Sequence, residues 1–386
     1  MLKNVALKRA LKNYFFPALT LINKFIPKND RIILLYSANG GINNSLVPFR
    51  KLLLDYSYDK KYKIYCGVEN LKFADGEKRV TYITHLQSVF LYFRTKHVFY
   101  TTGQIPIRPS KNQKVIHLGH GRSDYKTGGK WSKIGNGDEA YFTYTLVPSE
   151  LYVPIYAGEM DCDESMVAPI GDVLADQLIH YPREKKYFKE YDKIIVWYPT
   201  FRKSDYLGYD DSTEEGLVPM FEESDYFVIN DCLKKYNIKL IVKPHPLQNE
   251  YGKGQRHFSH FDVYTHEEFI REGLDTYQLL AQSDALIGDY SSISLQSLLV
   301  DIPLAYVIPD IEEYSRIRGF VFKHPEDYMP GAIVKDKAAF YQFIDDFASG
   351  VDKYKQERHR IRDIVFKYQD GKTCERALAL SGISIE

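Results

Sequence analysis

Residues 283–314, SDALIGDYSSISLQSLLVDIPLAYVIPDIEEY, read as strand, tight turn, helix and second strand. The apolar run Ala285–Gly288 has the continuous hydrophobicity of a strand covered on both faces, and Leu304–Ile308 repeats it. Between them Ser294–Val300 fits a helix, the crossover that joins two parallel strands. The polar turn Asp289-Tyr290-Ser291-Ser292 then falls at the carboxyl edge of the sheet, at a helix N-terminus. Unsatisfied backbone N–H groups and the helix dipole both favour an anion there, so the turn suits phosphate. The plain alternative is that Ser291 or Ser292 only caps the helix.

The same alternation extends to both sides. Arg31–Ala38, Tyr62–Val68, His97–Thr102, Val115–His120 and Met166–Ile170 read as strands, with helices over 47–55 and 87–96. Ile194–Tyr198 and Lys239–Val242 add strands to the second half, with helices over 226–235 and 276–282. The charged stretch Tyr181–Asp192 (YPREKKYFKEYD) reads as a linker, and 204–225 as an acidic surface excursion. The expected fold is α/β, with two Rossmann-like domains facing a cleft in the glycosyltransferase-B manner. Its parts are a basic amphipathic helix (1–29), an acceptor domain (30–182), a donor domain (193–350) and a helical tail (351–386).

Composition narrows the class. A chain of 386 residues with 44% hydrophobic and 26% charged residues is an ordinary folded protein, long enough for two domains. A formal net charge of zero argues against a general nucleic-acid binder. The four cysteines form no C-x-x-C pair, which fits a reducing compartment and suggests neither zinc nor disulfides. The 32 tyrosines and 22 phenylalanines are scattered through strand-like segments, as core packing scatters them. No signal peptide and no run of about 20 apolar residues is evident, so the expected location is cytoplasmic. Residues 1–28 carry six basic residues and no acid, with Leu7, Leu11, Tyr14, Phe15, Ala18, Ile22 and Phe25 at helical spacing and Pro17 expected to kink the helix. Such a helix can lie on an anionic membrane face or pack on its own domain.

Residues able to handle a phosphoryl group recur at strand ends. Thr200 and Arg202 follow one strand, Lys243 and His245 follow another, and Pro244 and Pro246 restrict the backbone around the imidazole. The Arg202 fork suits bidentate phosphate contact, and Thr200 can donate a hydroxyl bond. A surface salt bridge for Arg202 and a structural place for His245 are the alternatives. In the first half His120 ends VIHLGH between Gly119 and Gly121, which leave room for a substrate. A neutral imidazole, with a pKa of about 6.5 when unperturbed, can take a proton from an attacking hydroxyl. His117 reads as core. Asp289 either orients a neighbour or binds donor hydroxyls, and it is the weaker candidate for a second base. Asn43-Asn44-Ser45 can equally serve as a helix cap. No metal-ligand spacing is present; a divalent cation such as Mg2+ could enter only with a diphosphate donor.

The segment 283–314 resembles the signature of the CDP-glycerol glycerophosphotransferase family. IIVWYPTFR (194–202), IVKPHP (241–246), Arg318-Gly319-Phe320 with Pro330-Gly331, His120-Gly121 and Gly171–Asp176 resemble its further motifs in order. Gly119 stands where the family has Trp, and Leu295-Gln296 where it has Phe-Asp. The resemblance implies a transferase building a teichoic-acid or capsule polymer. Its donor would be a CDP-alditol, glycerol phosphate before ribitol phosphate. Its acceptor would be a lipid-linked polymer hydroxyl at the inner membrane face, and CMP would leave. It implies His120, His245 and Asp289 as catalytic, with Thr200, Arg202, Lys243, Ser291 and Ser292 on the donor. A glycosyltransferase using a nucleotide sugar and a non-catalytic nucleotide-binding subunit are the other two readings.

Overall fold

The structure, a computed structural model, describes residues 15–121, 124–132, 139–200, 203–204, 209–210, 217–244 and 256–385. Among these, residues within 1–122, 138–174 and 371–386 form one compact unit, and those within 123–137 and 175–370 a second. The first holds strands β1 (Asn29–Tyr36), β2 (Lys63–Val68), β3 (Thr81–Thr84), β4 (Thr95–Tyr100), β5 (Lys114–His117), β6 (Tyr144–Val147) and β7 (Val167–Pro169). They form a parallel sheet in the order β3-β2-β1-β4-β5-β6-β7.

The second unit holds β8 (Lys193–Trp197), a small antiparallel pair β9 (Lys203–Ser204) and β10 (Tyr209–Asp210), then β11 (Ile238–Val242), β12 (Phe261–Val263), β13 (Ala285–Gly288), β14 (Leu304–Val307) and β15 (Ala332–Val334). Its parallel sheet runs β12-β11-β8-β13-β14-β15. Each sheet reverses its strand order beside its first strand, between β1 and β4 and between β8 and β13. Such reversals are where open α/β sheets hold ligands, because neighbouring loops diverge there. The expected pair of Rossmann-like sheets is present. The edge strands β3, β12 and β15, and β6 within the first sheet, are additions to the expected set.

Covering both faces explains the apolar strand sequences. Ile33 and Leu35 of β1 face Leu46, Phe49 and Leu53 of the helix Leu46–Asp55, while Leu34 and Tyr36 face Tyr92 and Val98 on the other side. In the second unit Ile195 and Trp197 pack with Ile229, Leu233, Phe340 and Ile344. Each aliphatic side chain so buried contributes about 1.5–3 kcal/mol.

The charged stretch before β8 is held down rather than loose. Arg183 Nη1 donates to Ala281 O at 2.7 Å, Lys186 N to Gln282 Oε1 at 2.9 Å and Tyr187 Oη to Gly273 O at 2.8 Å. Residues 124–132 join the second unit although they follow β5 of the first. Tyr125 is buried, with its hydroxyl donating to Tyr328 O at 2.6 Å and its carbonyl accepting from Val321 N at 2.8 Å. Thr127 Oγ1 donates to Arg318 O at 2.7 Å, and Thr127 N to Gly319 O at 3.2 Å.

The basic residues of 1–14 lie outside the described residues. The described helix Phe16–Phe25 carries Pro17 in its first turn rather than in its middle. It is anchored by Phe16, Leu19 and buried Asn23, whose amide donates to Arg108 O at 3.1 Å and Gln113 Oε1 at 2.9 Å. The apolar stripe Phe15, Ala18, Ile22 and Phe25 is therefore the exposed face, with Phe25 at 78%. Among the described residues no helix is long and apolar enough to cross a membrane.

The helix Thr373–Leu380 returns to complete the first unit, burying Cys374, Ala377 and Leu378 beside Leu35 and Phe49. Gly171 permits this closure: its φ is +129°, and a Cβ there would stand 1.9 Å from Thr373 Oγ1. Replacing Gly171 by Ala adds backbone strain to that overlap and should cost about 2–4 kcal/mol of stability. A urea titration reads the loss as a lower midpoint, and an unchanged midpoint would show that the helix yields without cost.

Candidate active site

The strand reversal of the second sheet is closed by a carboxylate. Asp289 follows β13, and Thr200 lies three residues beyond β8. Asp289 Oδ2 accepts from Thr200 N at 2.7 Å and Oδ1 from Thr200 Oγ1 at 2.6 Å. Oδ1 also accepts from Ser291 N at 3.1 Å. Asp289 is buried, so these bonds are what make an ionised carboxylate tolerable there. The Thr200 hydroxyl donates to Asp289 in this structure.

Tyr290 points inward. Its hydroxyl donates to Asp310 Oδ1 at 2.9 Å, and its ring stacks on Tyr314 with centroids 4.3 Å apart and lies tilted against Phe320 at 5.2 Å. Phe320 is bridged to Lys126 in the segment described above. Ser291 and Ser292 are left part-exposed at the surface of the turn. The helix they open, Ser292–Gln296, has only five residues before a 3-10 turn, Ser297–Leu299. A dipole summed over so few peptides is small, so any anion affinity of the turn rests on its N–H and hydroxyl donors rather than on the helix axis. Ser291 sits at the N-cap without a side-chain cap bond.

Lys243 follows β11 directly, and its N–H donates to Trp197 O at 2.9 Å. Since β11, β8 and β13 are neighbours, the chain at Lys243 and at Asp289 is about 10 Å apart along the sheet edge. The ammonium lies 5.3 Å from the Phe269 ring centroid, and burial pushes its pKa down to about 8, opposed by Asp275. Burial, and then the Lys243 charge, push the His266 imidazole down as well. Arg202 and His245 lie outside the described residues.

In the first unit, His120 is exposed at the carboxyl edge of its sheet, between Gly119 at φ +75° and Gly121 at φ +103°. The Gly119 carbonyl accepts from Thr101 Oγ1 at 2.5 Å and from Ser45 Oγ at 2.7 Å. Ser45 stands at the N-cap of Leu46–Asp55 but makes no cap bond, so the expected capping role gives way to this contact. His117 is buried, as expected of a core residue, with Nε2 donating to Thr101 O at 2.9 Å and Nδ1 accepting from Thr145 Oγ1 at 3.2 Å. Its ring stacks on Tyr100 at 4.5 Å. Thr101, Thr145, Asp310 and His266 were not among the expected site residues, and only Asp310 carried a signal, its place in the strand-turn-helix segment. Among the described residues no group of three or more His, Cys, Asp or Glu is placed to hold a metal ion.

Comparison with known proteins gives the site its class. Residues 19–380 match the family described as CDP-Glycerol:Poly(glycerophosphate) glycerophosphotransferase. The chain belongs to this family and is, with it, a CDP-alditol phosphotransferase. Teichoic acid ribitol-phosphate polymerase TarK of Staphylococcus aureus is 26% identical over 392 residues, 95% of this chain and 71% of TarK. The teichoic acid ribitol-phosphate primase of Bacillus spizizenii is 23% identical over 405 residues, 96% of this chain and 95% of the primase. Among solved structures, the wall teichoic acid polymerase TagF matches with a TM-score of 0.72 at 18% identity, over 98% of this chain and 95% of that one. The fold is therefore the glycosyltransferase-B-like one of TagF. A TagF variant was also solved after a soak with CDPG, and matches at a TM-score of 0.69 and 16% identity over 98% of this chain and 94% of that one.

The Asp289 clasp has a direct test. In Asp289→Asn, either orientation of the amide turns an NH2 toward a backbone N–H, of Thr200 or of Ser291. Stability should fall by about 1–3 kcal/mol in a denaturant titration. An unaltered midpoint would mean the clasp contributes nothing net.

Proposed function

We propose that the chain transfers an alditol phosphate from a CDP-alditol to a hydroxyl of a lipid-linked wall or capsule polymer, releasing CMP. The observation that carries the donor half is the Thr200–Asp289 clasp at the strand reversal, which leaves Ser291 and Ser292 part-exposed about 10 Å along the sheet edge from Lys243. The acceptor oxygen bonds to the phosphorus that bears the alditol, and the bond from that phosphorus to the bridging oxygen of CMP breaks. His120 takes the acceptor proton as general base. Lys243, Ser291 and Ser292 take the diphosphate charge, and Arg202 and His245 complete that set on the strength of their sequence positions. Asp289 orients the turn.

The alditol is ribitol before glycerol, because the two relatives named above are a ribitol-phosphate polymerase and a ribitol-phosphate primase. This reverses the order expected from the sequence. TagF and its CDPG soak keep glycerol in the comparison. Purified protein is incubated with CDP-ribitol, CDP-glycerol and UDP-sugars in the presence of membranes, and CMP and UDP are assayed. CMP release, faster from CDP-ribitol, is the expected result. UDP release from a UDP-sugar would overturn the reading in favour of a glycosyltransferase, and CDP binding without turnover would favour a non-catalytic subunit. His120→Ala should abolish turnover while CDP still binds; full activity would remove His120 from the mechanism.

Lys243 makes donor affinity depend on pH. With its pKa lowered to about 8, the ammonium is present below that value and lost as pH rises through it. CDP affinity should therefore fall between pH 7 and 9 by about tenfold or less, with proton uptake on binding. Calorimetric titration reads both, and Lys243→Gln should flatten the dependence. An equal slope in that variant would exclude Lys243.

The protein is peripheral on the inner membrane face. The support is the exposed stripe Phe15, Ala18, Ile22 and Phe25 together with the six basic residues of 1–28. Because Asn23 anchors the helix, the clean variant is Ile22→Asp with Phe25→Asp rather than a deletion. It should leave anionic vesicles in a sedimentation assay, and undiminished binding would count against this surface.

A further inference from the structure

The buried Gly119 carbonyl immediately before His120 is gripped by two buried hydroxyls, one from the end of a strand and one from a helix N-cap. Thr101, at the end of β4, donates from Oγ1 at 2.5 Å, and Ser45 donates from Oγ at 2.7 Å. Gly119 has φ +75°, a left-handed conformation that turns its carbonyl toward these donors. The peptide that links Gly119 to His120 is thereby oriented, and with it the direction in which the imidazole leaves the backbone. Thr101 is itself fixed. Its carbonyl accepts from His117 Nε2 at 2.9 Å, and His117 is held by Thr145 Oγ1 at 3.2 Å and by the Tyr100 ring at 4.5 Å. A relay of rigid contacts thus crosses from β6 through β5 and β4 to the turn that presents His120.

We infer that Thr101 is a positioning residue for the phosphotransfer, holding His120 at the angle from which it takes the acceptor proton. Ser45 shares the same carbonyl, and the His117–Thr145 pair keeps Thr101 from rotating. The inference rests on the reading of His120 as the general base. Its logic is that proton transfer is sensitive to placement, whereas donor binding uses residues at the other sheet and should be indifferent.

The test compares Thr101→Val, which keeps shape and loses the hydroxyl, with Thr101→Ser, which keeps the hydroxyl. Both are measured by CMP release, with thermal unfolding alongside. Thr101→Val should lower kcat by about 10- to 100-fold while the KM for CDP-alditol stays within about twofold. Thr101→Ser should restore most of kcat. A merely structural role would instead lower kcat in step with the melting temperature and would move donor KM as well, and that outcome overturns the inference. Ser45→Ala decides the matter if Thr101→Val fails to fold, with the same split between kcat and KM expected and a wild-type kcat overturning it. His120→Ala separates the two levels. If it is inactive while Thr101→Val is fully active, the positioning role fails and the base assignment stands. If His120→Ala is fully active, the base assignment fails, and the positioning role with it.

Discussion

A single buried carboxylate sets the geometry of the turn at the strand reversal of the second sheet. Asp289 takes both the N–H and the hydroxyl of Thr200, a residue 89 positions earlier, and the N–H of Ser291. Burying an ionised group is costly unless its lone pairs are met, so the three donors and the carboxylate enforce one another. The consequence is a fixed gap between the ends of β8 and β13. The four residues of the turn then divide by direction. Asp289 and Tyr290 face inward and make it rigid, while Ser291 and Ser292 remain accessible.

Behind the turn lies a layer of rings. Tyr290, Tyr314 and Phe320 pack against one another, and Asp310 receives the Tyr290 hydroxyl. The residues just after His120 in sequence, from Tyr125 to Thr127, are bonded along 318–321 at the edge of this layer. The plentiful tyrosines thus serve as stiff walls with a polar end that finds a partner, as aromatic residues with a hydroxyl do when buried.

Much of this was legible in the sequence, for stated physical reasons. β1, β8, β11, β13 and β14 each contain an apolar run (ILLY, IIVW, LIV, ALIG and LAYV) that is buried in the sheet, and that run is a strong local signal. The three- and four-residue strands β12 (FDV), β15 (AIV), β3 (TYIT) and β6 (YTLV) are too short to show a period. Their pairing is decided by neighbours far along the chain. The Asp289 turn could be located from its strand and helix, but not the direction of its bonds, because the partner Thr200 is remote. Ser45 illustrates the same limit: locally it is a helix cap, and only the approach of Gly119 recruits its hydroxyl elsewhere. The tie of residues 124–132 to the second unit left no trace in composition at all.

The helix Thr373–Leu380 fills part of the core of the first unit, although that unit's sheet is complete by residue 169. During synthesis the sheet therefore emerges with one patch of Leu35 and Phe49 uncovered, while some two hundred residues of the second unit are still to come. The second unit, apart from its 123–137 insertion, is contiguous from 175 to 370 and can close first. The core of the first unit is complete only once residues 373–380 have been made, after the whole of the second unit. An incomplete chain would present that apolar patch to solvent, which makes it a natural target for chaperones and proteases.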